Sequence, residues 1–188
     1  MPNILNMSNI GKKSIEIKQG VTINIEDNKV IVSSTKGTLE TKLPRGIKVA
    51  IEDGKLKVLK ENENPEINMY SGLVRSLISN SITGLTIGFE KKLELSGVGF
   101  RARVEGDALV LNVGFANPVR IKAPNGINMK VDENIITISG IDKELVGNTA
   151  SIIRKVKLPD PYKAKGIKYA GEYIRRKVGK AAKAVGGK

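Results

Sequence analysis

The chain has 188 residues and a formal net charge of +13, and it contains neither Cys nor His. The absence of these two residue types excludes disulfides, thiolate and imidazole metal sites, and every nucleophile–histidine pair. A positive excess of this size predicts a polyanionic partner, most often a nucleic acid.

The first part of the chain predicts five short strands. Val21, Ile23 and Ile25 alternate with polar residues, as a half-buried strand requires. Four similar segments follow, and the last ends near Val58. Three of the turns between them are marked by Asp27-Asn28, Lys36-Gly37 and Asp53-Gly54.

The apolar period then becomes helical. The positions that share the predicted packed face are Ile67, Tyr70, Val74, Leu77 and Ile78. Asn64 is the predicted N-cap, and Pro65 suits the first helical position because its missing N–H would be unpaired there anyway.

The same order of elements recurs about 80 residues later, which indicates an internal duplication. The run Leu43-Pro44-Arg45-Gly46-Ile47 aligns with Ala123-Pro124-Asn125-Gly126-Ile127, and after one deletion Arg75 aligns with Arg154. A second helix is predicted after Asp142, its N-cap, and it ends at Leu158-Pro159. Its predicted packed face consists of Leu145, Thr149, Ile152, Ile153 and Val156.

These patterns predict an α+β fold with two tandem copies of a small, mostly antiparallel sheet and one packed helix. The predicted domains are residues 1–82 and residues 83–188. Residues 1–6 are either an extension of the first domain or the result of an upstream start codon. We expect the junction near Ser81 to Leu85. The second domain carries a basic tail from about residue 157.

The segment Gly97-Val98-Gly99-Phe100-Arg101-Ala102 has the glycine spacing of a dinucleotide-binding motif. That motif needs a helix directly after it, whereas the alternation here predicts a strand on both sides. We therefore interpret it as a kink, or as backbone that approaches RNA closely with Arg101 and Arg103 alongside. The adjacent acid pairs lie at predicted turns and not in a cleft, so we predict no catalytic residue, metal site or cofactor.

Most of the excess charge lies at the C-terminal end. Residues 1–82 hold 12 basic and nine acidic residues, residues 83–153 hold eight of each, and residues 154–188 hold 12 and two. Three of the four tyrosines also lie in this tail, and its Pro and Gly residues predict an extended path along an RNA groove. Cations there would neutralise phosphates, while each tyrosine would either stack on a base or pack back onto the domain. The candidate RNA-binding residues are Gly97, Gly99, Arg101, Arg103, Arg154, Lys157, Tyr162, Lys163, Lys165, Gly166, Lys168, Tyr169, Arg175, Arg176, Lys177 and Lys180.

The run from Pro159 to Tyr169 resembles the C-terminal signature of the bacterial-type ribosomal protein L6 family of the large subunit. The segments Met7–Lys13 and Leu95–Ala102 resemble the same family, and the resemblance covers about Met7 to Lys180. It departs at Ser14, where the family often has Pro, and at Phe100, where Tyr is common.

The resemblance implies a non-enzymatic protein that binds large-subunit rRNA, mainly through its second domain and tail. It also implies a place near the stalk base and the translation-factor site, with neighbouring ribosomal proteins as further partners. We expect a cytoplasmic, ribosome-bound protein with no membrane segment and no small-molecule substrate. The alternatives are a chaperone-like nucleic-acid-binding module that works off the ribosome, which would bind random RNA as well as rRNA, and, less favoured, an enzyme or a membrane-surface protein.

Overall fold

Alternating apolar and polar residues form the strands of the first unit, as the sequence predicted. The computed structural model describes residues 10–52, 54–61 and 64–179. The strands are β1 (Ile15–Glu16), β2 (Val21–Glu26), β3 (Lys29–Ser34), β4 (Gly37–Lys42), β5 (Ile47–Glu52) and β6 (Lys55–Lys60). They pair antiparallel in two three-stranded sheets, in the orders β1-β6-β5 and β2-β3-β4. Only the two-residue β1 was not predicted.

Helix α1 (Pro65–Thr86) covers these sheets. The Asn64 side chain accepts a hydrogen bond from the Glu66 N–H at 3.1 Å, which confirms the predicted cap. The buried face of the helix consists of Ser71, Val74, Ile78, Ile82 and Leu85. Tyr70 and Leu77 were predicted on that face but are partly exposed, because the true face is rotated toward residues 71 and 82.

The second unit repeats this arrangement. Its elements are β7 (Phe89–Ser96), β8 (Arg101–Glu105), β9 (Ala108–Asn112), β10 (Val119–Lys122), β11 (Ile127–Asp132), β12 (Ile135–Gly140), α2 (Lys143–Val156) and β13 (Gly166–Tyr169). The sheets have the orders β10-β9-β8 and β11-β12-β7-β13. The turn before β5, in which the Ile47 N–H donates to the Pro44 carbonyl at 3.2 Å, recurs before β11 between Ile127 and Pro124 at 3.1 Å. The predicted two-copy α+β fold is therefore confirmed.

Helix α2 ends at Val156, just before the predicted stop at Leu158-Pro159. Its buried residues are Val146, Thr149, Ala150 and Ile153. Leu145 and Ile152, which were predicted to pack, are partly exposed because the buried face centres on Thr149 and Ile153.

The two units divide between Phe89 and Glu90, whereas the sequence suggested a division after residue 82. The first unit comprises Met1–Phe89 and Ile141–Lys143, and the second comprises Glu90–Gly140 and Glu144–Lys188. The expected junction, Ser81 to Leu85, lies inside α1. The helix continues through Gly84, where only glycine fits: within the first unit, a Cβ at Gly84 would lie 1.9 Å from the Ile141 carbonyl oxygen.

The segment after α2 does not run extended along the surface, so that part of the tail prediction was wrong. It folds back as β13, which pairs antiparallel with β7 and places Ile167 opposite Leu95. Ile167 is fully buried. The tail therefore supplies one strand and one core residue to the second unit before its basic end begins.

Candidate nucleic-acid interface

A closed loop presents the first cations of the tail. The Asp160 N–H donates to the Lys165 carbonyl at 2.9 Å, and the Ala164 N–H donates back to the Asp160 carbonyl at 2.8 Å. The Asp160 carboxylate also accepts the Lys163 N–H at 3.0 Å. Ala164 is buried between them, so the side chains of Lys163 and Lys165 point to solvent on a fixed backbone.

Gly166 closes this loop onto β13. It has a φ of +151°, and a Cβ there would lie 2.6 Å from Pro159 Cα. Backbone of the chain itself thus occupies the space that a side chain would need. Gly166 is one of the candidate RNA contacts, and in the structure the backbone of residues 158 and 159 lies against it.

Arg154 and Glu172 form a clamp that fastens the tail to α2. The Arg154 guanidinium contacts the Glu172 carboxylate through Nε–Oε2 at 3.1 Å and Nη2–Oε1 at 2.5 Å, and both side chains are 25% exposed. Glu172 Oε2 also accepts the Tyr169 N–H at 2.9 Å. The hydrogen bond from Arg154 lowers the pKa of Glu172, against the opposing effect of burial, and Glu172 raises the pKa of Arg154.

Tyr169 and Lys168, both predicted to touch RNA, are already engaged within the second unit. Arg154 Cζ lies 5.5 Å from the centre of the Tyr169 ring, and Lys91 Nζ lies 5.9 Å from it. Lys168 Nζ lies 2.8 Å from Glu94 Oε2 on the neighbouring strand β7. Both side chains are only partly exposed.

The candidate cations near the glycine segment and at the start of the tail also differ in whether they have a partner within the protein. Arg103 contacts Glu105 at 2.8 Å, and Arg120 contacts the other carboxylate oxygen at 3.1 Å. Lys157 Nζ lies 4.9 Å from the centre of the Phe115 ring. Arg101, at the start of β8, is exposed.

The glycine segment is a turn between two strands, which confirms the strand–glycine–strand interpretation. Strand β7 ends at Ser96 and β8 begins at Arg101, so no helix follows. The Phe100 N–H donates to the Gly97 carbonyl at 3.3 Å. Gly99 has a φ of +78°, with open space where a Cβ would be, while Gly97 lies against the Phe100 ring. The helix N-terminus that a pyrophosphate site needs is missing from this segment.

The end of the tail carries an exposed basic run. The side chains of Arg175, Arg176 and Lys177, which we call the tail triplet, are all exposed. The Lys177 N–H donates to the Pro161 carbonyl at 2.8 Å, so the run returns to the closed loop. Lys180 lies outside the described residues.

The structure thus sorts the predicted cations into two groups. Three have carboxylate partners: Arg103, Arg154 and Lys168. Among the candidate residues within the described ranges, six exposed cations have none: Arg101, Lys163, Lys165, Arg175, Arg176 and Lys177. Five of these six lie in the tail, between Lys163 and Lys177.

Sequence reasoning missed Tyr173, which is 89% exposed. Tyr162, which was predicted, is 55% exposed. The available signal was position, because Tyr173 directly precedes an apolar residue and the tail triplet.

Neither helix within the described ranges is long and apolar enough to cross a membrane. Among the same residues, no group of three or more Asp and Glu side chains is placed to hold a metal ion.

Residues 17–88 and 96–170 match the family model described as Ribosomal protein L6. The chain belongs to the ribosomal protein L6 family. Members of the L6 family are structural, non-enzymatic ribosomal proteins, as the sequence resemblance implied. The two matched segments correspond to the two repeated units, and the second ends one residue after β13.

Relatives in this family cover nearly the whole chain. The large ribosomal subunit protein uL6 of Synechococcus sp. (strain JA-3-3Ab) is 49% identical over 179 residues, which are 95% of this chain and 99% of the relative. The large ribosomal subunit protein uL6 of Syntrophomonas wolfei is also 49% identical, over 93% of this chain and 98% of its own length. The large ribosomal subunit protein uL6c of Guillardia theta is 48% identical, over 94% and 99%.

Proposed function

We propose that this L6 family protein is a structural constituent of the large ribosomal subunit and binds large-subunit rRNA mainly through its second unit and tail. The names of its relatives support the first part. The C-terminal signature from Pro159 to Tyr169 supports a place near the stalk base and the translation-factor site, beside other ribosomal proteins, in the cytoplasm.

One observation carries the rRNA-binding part of the proposal: five exposed cations without carboxylate partners lie close together on one folded segment, between Lys163 and Lys177. Exposed cations without such partners also occur elsewhere, for example Lys18, Lys42 and Lys55, but these are spread over separate strands and loops. Lys163 and Lys165 project from the closed loop, and the tail triplet returns to that loop through the Lys177–Pro161 hydrogen bond. An exposed cation without a partner releases phosphate counterions at no internal cost, whereas a paired one must first give up its carboxylate.

The remaining predicted contacts have two roles in this proposal. Arg154, Gly166, Lys168 and Tyr169 hold the tail in place, and any contact that they make with RNA adds to that role. We propose the other candidate positions as RNA contacts: Gly97, Gly99, Arg101, Arg103, Lys157, Tyr162 and Lys180.

Sucrose-gradient fractionation of the native protein tests the proposal. We expect co-migration with large ribosomal subunits. It should persist in high salt because the fitted shape adds contacts that salt does not weaken, whereas phosphate contacts alone would be lost. A protein that stays at the top of the gradient, and binds random RNA as tightly as large-subunit rRNA in a filter assay, would instead be a nucleic-acid-binding module that works off the ribosome.

A further inference from the structure

A groove of about 380 Å³ lies beside the tail within the second unit. This volume falls within the range of about 300–1,000 Å³ that is usual for small-ligand clefts. Its lining residues come from the end of β7, the closed loop, β13 and the tail: Ser96, Ala164, Lys168, Glu172, Tyr173, Ile174 and Arg176.

Tyr173 gives the groove an aromatic surface. Tyr173 is 89% exposed as a residue, so its side chain is accessible to a partner. Its backbone is held on both sides, because Glu172 belongs to the clamp with Arg154 and Ile174 is half-buried. The ring is thus exposed on a fixed stretch of backbone, which favours stacking because little conformational freedom is lost on binding.

The charged residues of the groove leave one cation available. Lys168 contacts Glu94 at 2.8 Å, and the Glu172 carboxylate is occupied by Arg154 and the Tyr169 N–H. Within the described ranges, Arg176 has no carboxylate partner. A guanidinium presents paired N–H donors that match the oxygens of a phosphate.

An aromatic ring and a free guanidinium on one small groove match the two parts of a nucleotide. We propose that this groove binds one unpaired nucleotide of large-subunit rRNA, with its base stacked on Tyr173 and its phosphate held by Arg176. The inference rests on the proposed function and adds to it a residue that makes contact with a base. The phosphate contacts of the other tail cations fix position only.

A fluorescence experiment tests the stacking directly, because the chain contains no Trp. The Tyr173→Trp variant introduces a single Trp, whose emission should be quenched when a large-subunit rRNA transcript binds. The matched control is Tyr70→Trp, on the partly exposed side of α1 in the first unit, and its emission should not change.

A free nucleoside monophosphate forms a third arm of the fluorescence experiment. Quenching by the transcript but not by the monophosphate supports an RNA site, whereas quenching by the monophosphate at matched concentration would show a free-nucleotide site and overturn the proposal.

Affinity measurements on the full chain give a second readout. Tyr173→Ala should weaken binding to the transcript by about 5- to 150-fold, the usual effect of losing one stacked base, with an unchanged salt dependence. Tyr173→Phe should bind like the wild type because stacking needs the ring and not the hydroxyl. Unquenched Trp emission at position 173, or equal affinity of the Ala variant and the wild type, would overturn the inference while leaving the proposed function intact. A wild-type chain with no preference for large-subunit rRNA would overturn both.

Discussion

Replacement of Glu172 by Gln tests whether the clamp holds the tail in its folded position. The substitution keeps the shape and an acceptor for the Tyr169 N–H but removes the negative charge opposite Arg154. We expect the second unit to lose stability and the strand pairing of β13 to loosen. The exposed cations of the tail would then be less ordered before RNA binds.

The geometry of the clamp allows an estimate of how much stability the Glu172→Gln variant loses. Exposed ion pairs stabilise by about 0.2–1 kcal/mol, and hydrogen bonds to charged groups by about 1.5–3 kcal/mol. The clamp is bidentate and its side chains are each 25% exposed, so an intermediate value of about 1.5 kcal/mol is expected. For a unit of this size, such a loss lowers the melting temperature by roughly 6–12 °C.

A double-mutant cycle with Glu172→Gln, Arg154→Met and both changes together measures this coupling from the free energy of unfolding. Hydrogen exchange at the Tyr169 and Ala170 amides should quicken in each variant. Glu61→Gln is the control, because it removes a comparable contact with the highly exposed Lys48 and should have no measurable effect. A coupling energy within the ordinary non-additivity of about 0.3–0.5 kcal/mol would refute the clamp's role.

Three further predictions follow from the same geometry. The pKa of Glu172 is lowered in the folded state, so the clamp stabilises the second unit fully above the ordinary glutamate pKa of about 4.3. This stabilisation is lost as pH falls through the lower folded-state pKa. A measurement of the free energy of unfolding against pH should show the loss in the wild type but not in Glu172→Gln. Gly166→Ala should cost about 1–3 kcal/mol because its Cβ overlaps backbone, whereas Gly147→Ala, in α2 with open space around it, should stabilise by about 0.5–1 kcal/mol in chemical denaturation. In filter binding across salt concentrations, Lys163→Ala should reduce the salt dependence more than Lys168→Ala, since Lys168 is already paired with a carboxylate.

The repeated fold could be predicted from the sequence because its signals are local. Alternation and turn residues fixed β2 to β6, and the same pattern 80 residues later fixed β11 and β12 at corresponding positions. The cap at Asn64 and the end of α2 follow from single residue types with one strong preference each. Nothing local marks the two-residue β1, which exists only because β6 offers a free edge.

The fold of the tail could not be predicted for the opposite reason. Strand β13 is four residues long and forms only by pairing with β7, about 70 residues earlier in the chain. The run Gly166–Tyr169 contains one buried aliphatic residue, Ile167, between a glycine and a lysine, which is too short a pattern to distinguish from an extended linker.

The sequence predicts where the basic residues lie, but it does not predict which of them have partners within the protein. The sequence correctly placed the basic excess in the tail. Which cations are paired depends on contacts between distant residues, such as Lys168 with Glu94 and Arg154 with Glu172. For this reason Lys168 was predicted as a phosphate contact of the same kind as Lys163, and Arg154 and Tyr169 as further RNA contacts, although the structure gives all three partners within the protein.

The central claim is that the tail anchors the protein to large-subunit rRNA through the place of its charges and not only through their number. The most direct test is the salt dependence of transcript binding by two full-length variants with equal net charge. One replaces the tail triplet with Ala, and the other replaces the exposed first-unit residues Lys18, Lys42 and Lys55. The tail variant should lose about 2–3 units of slope in a plot of log affinity against log salt, and the first-unit variant should keep the wild-type slope. Equal loss in both variants, or no loss in the tail variant, would contradict the claim.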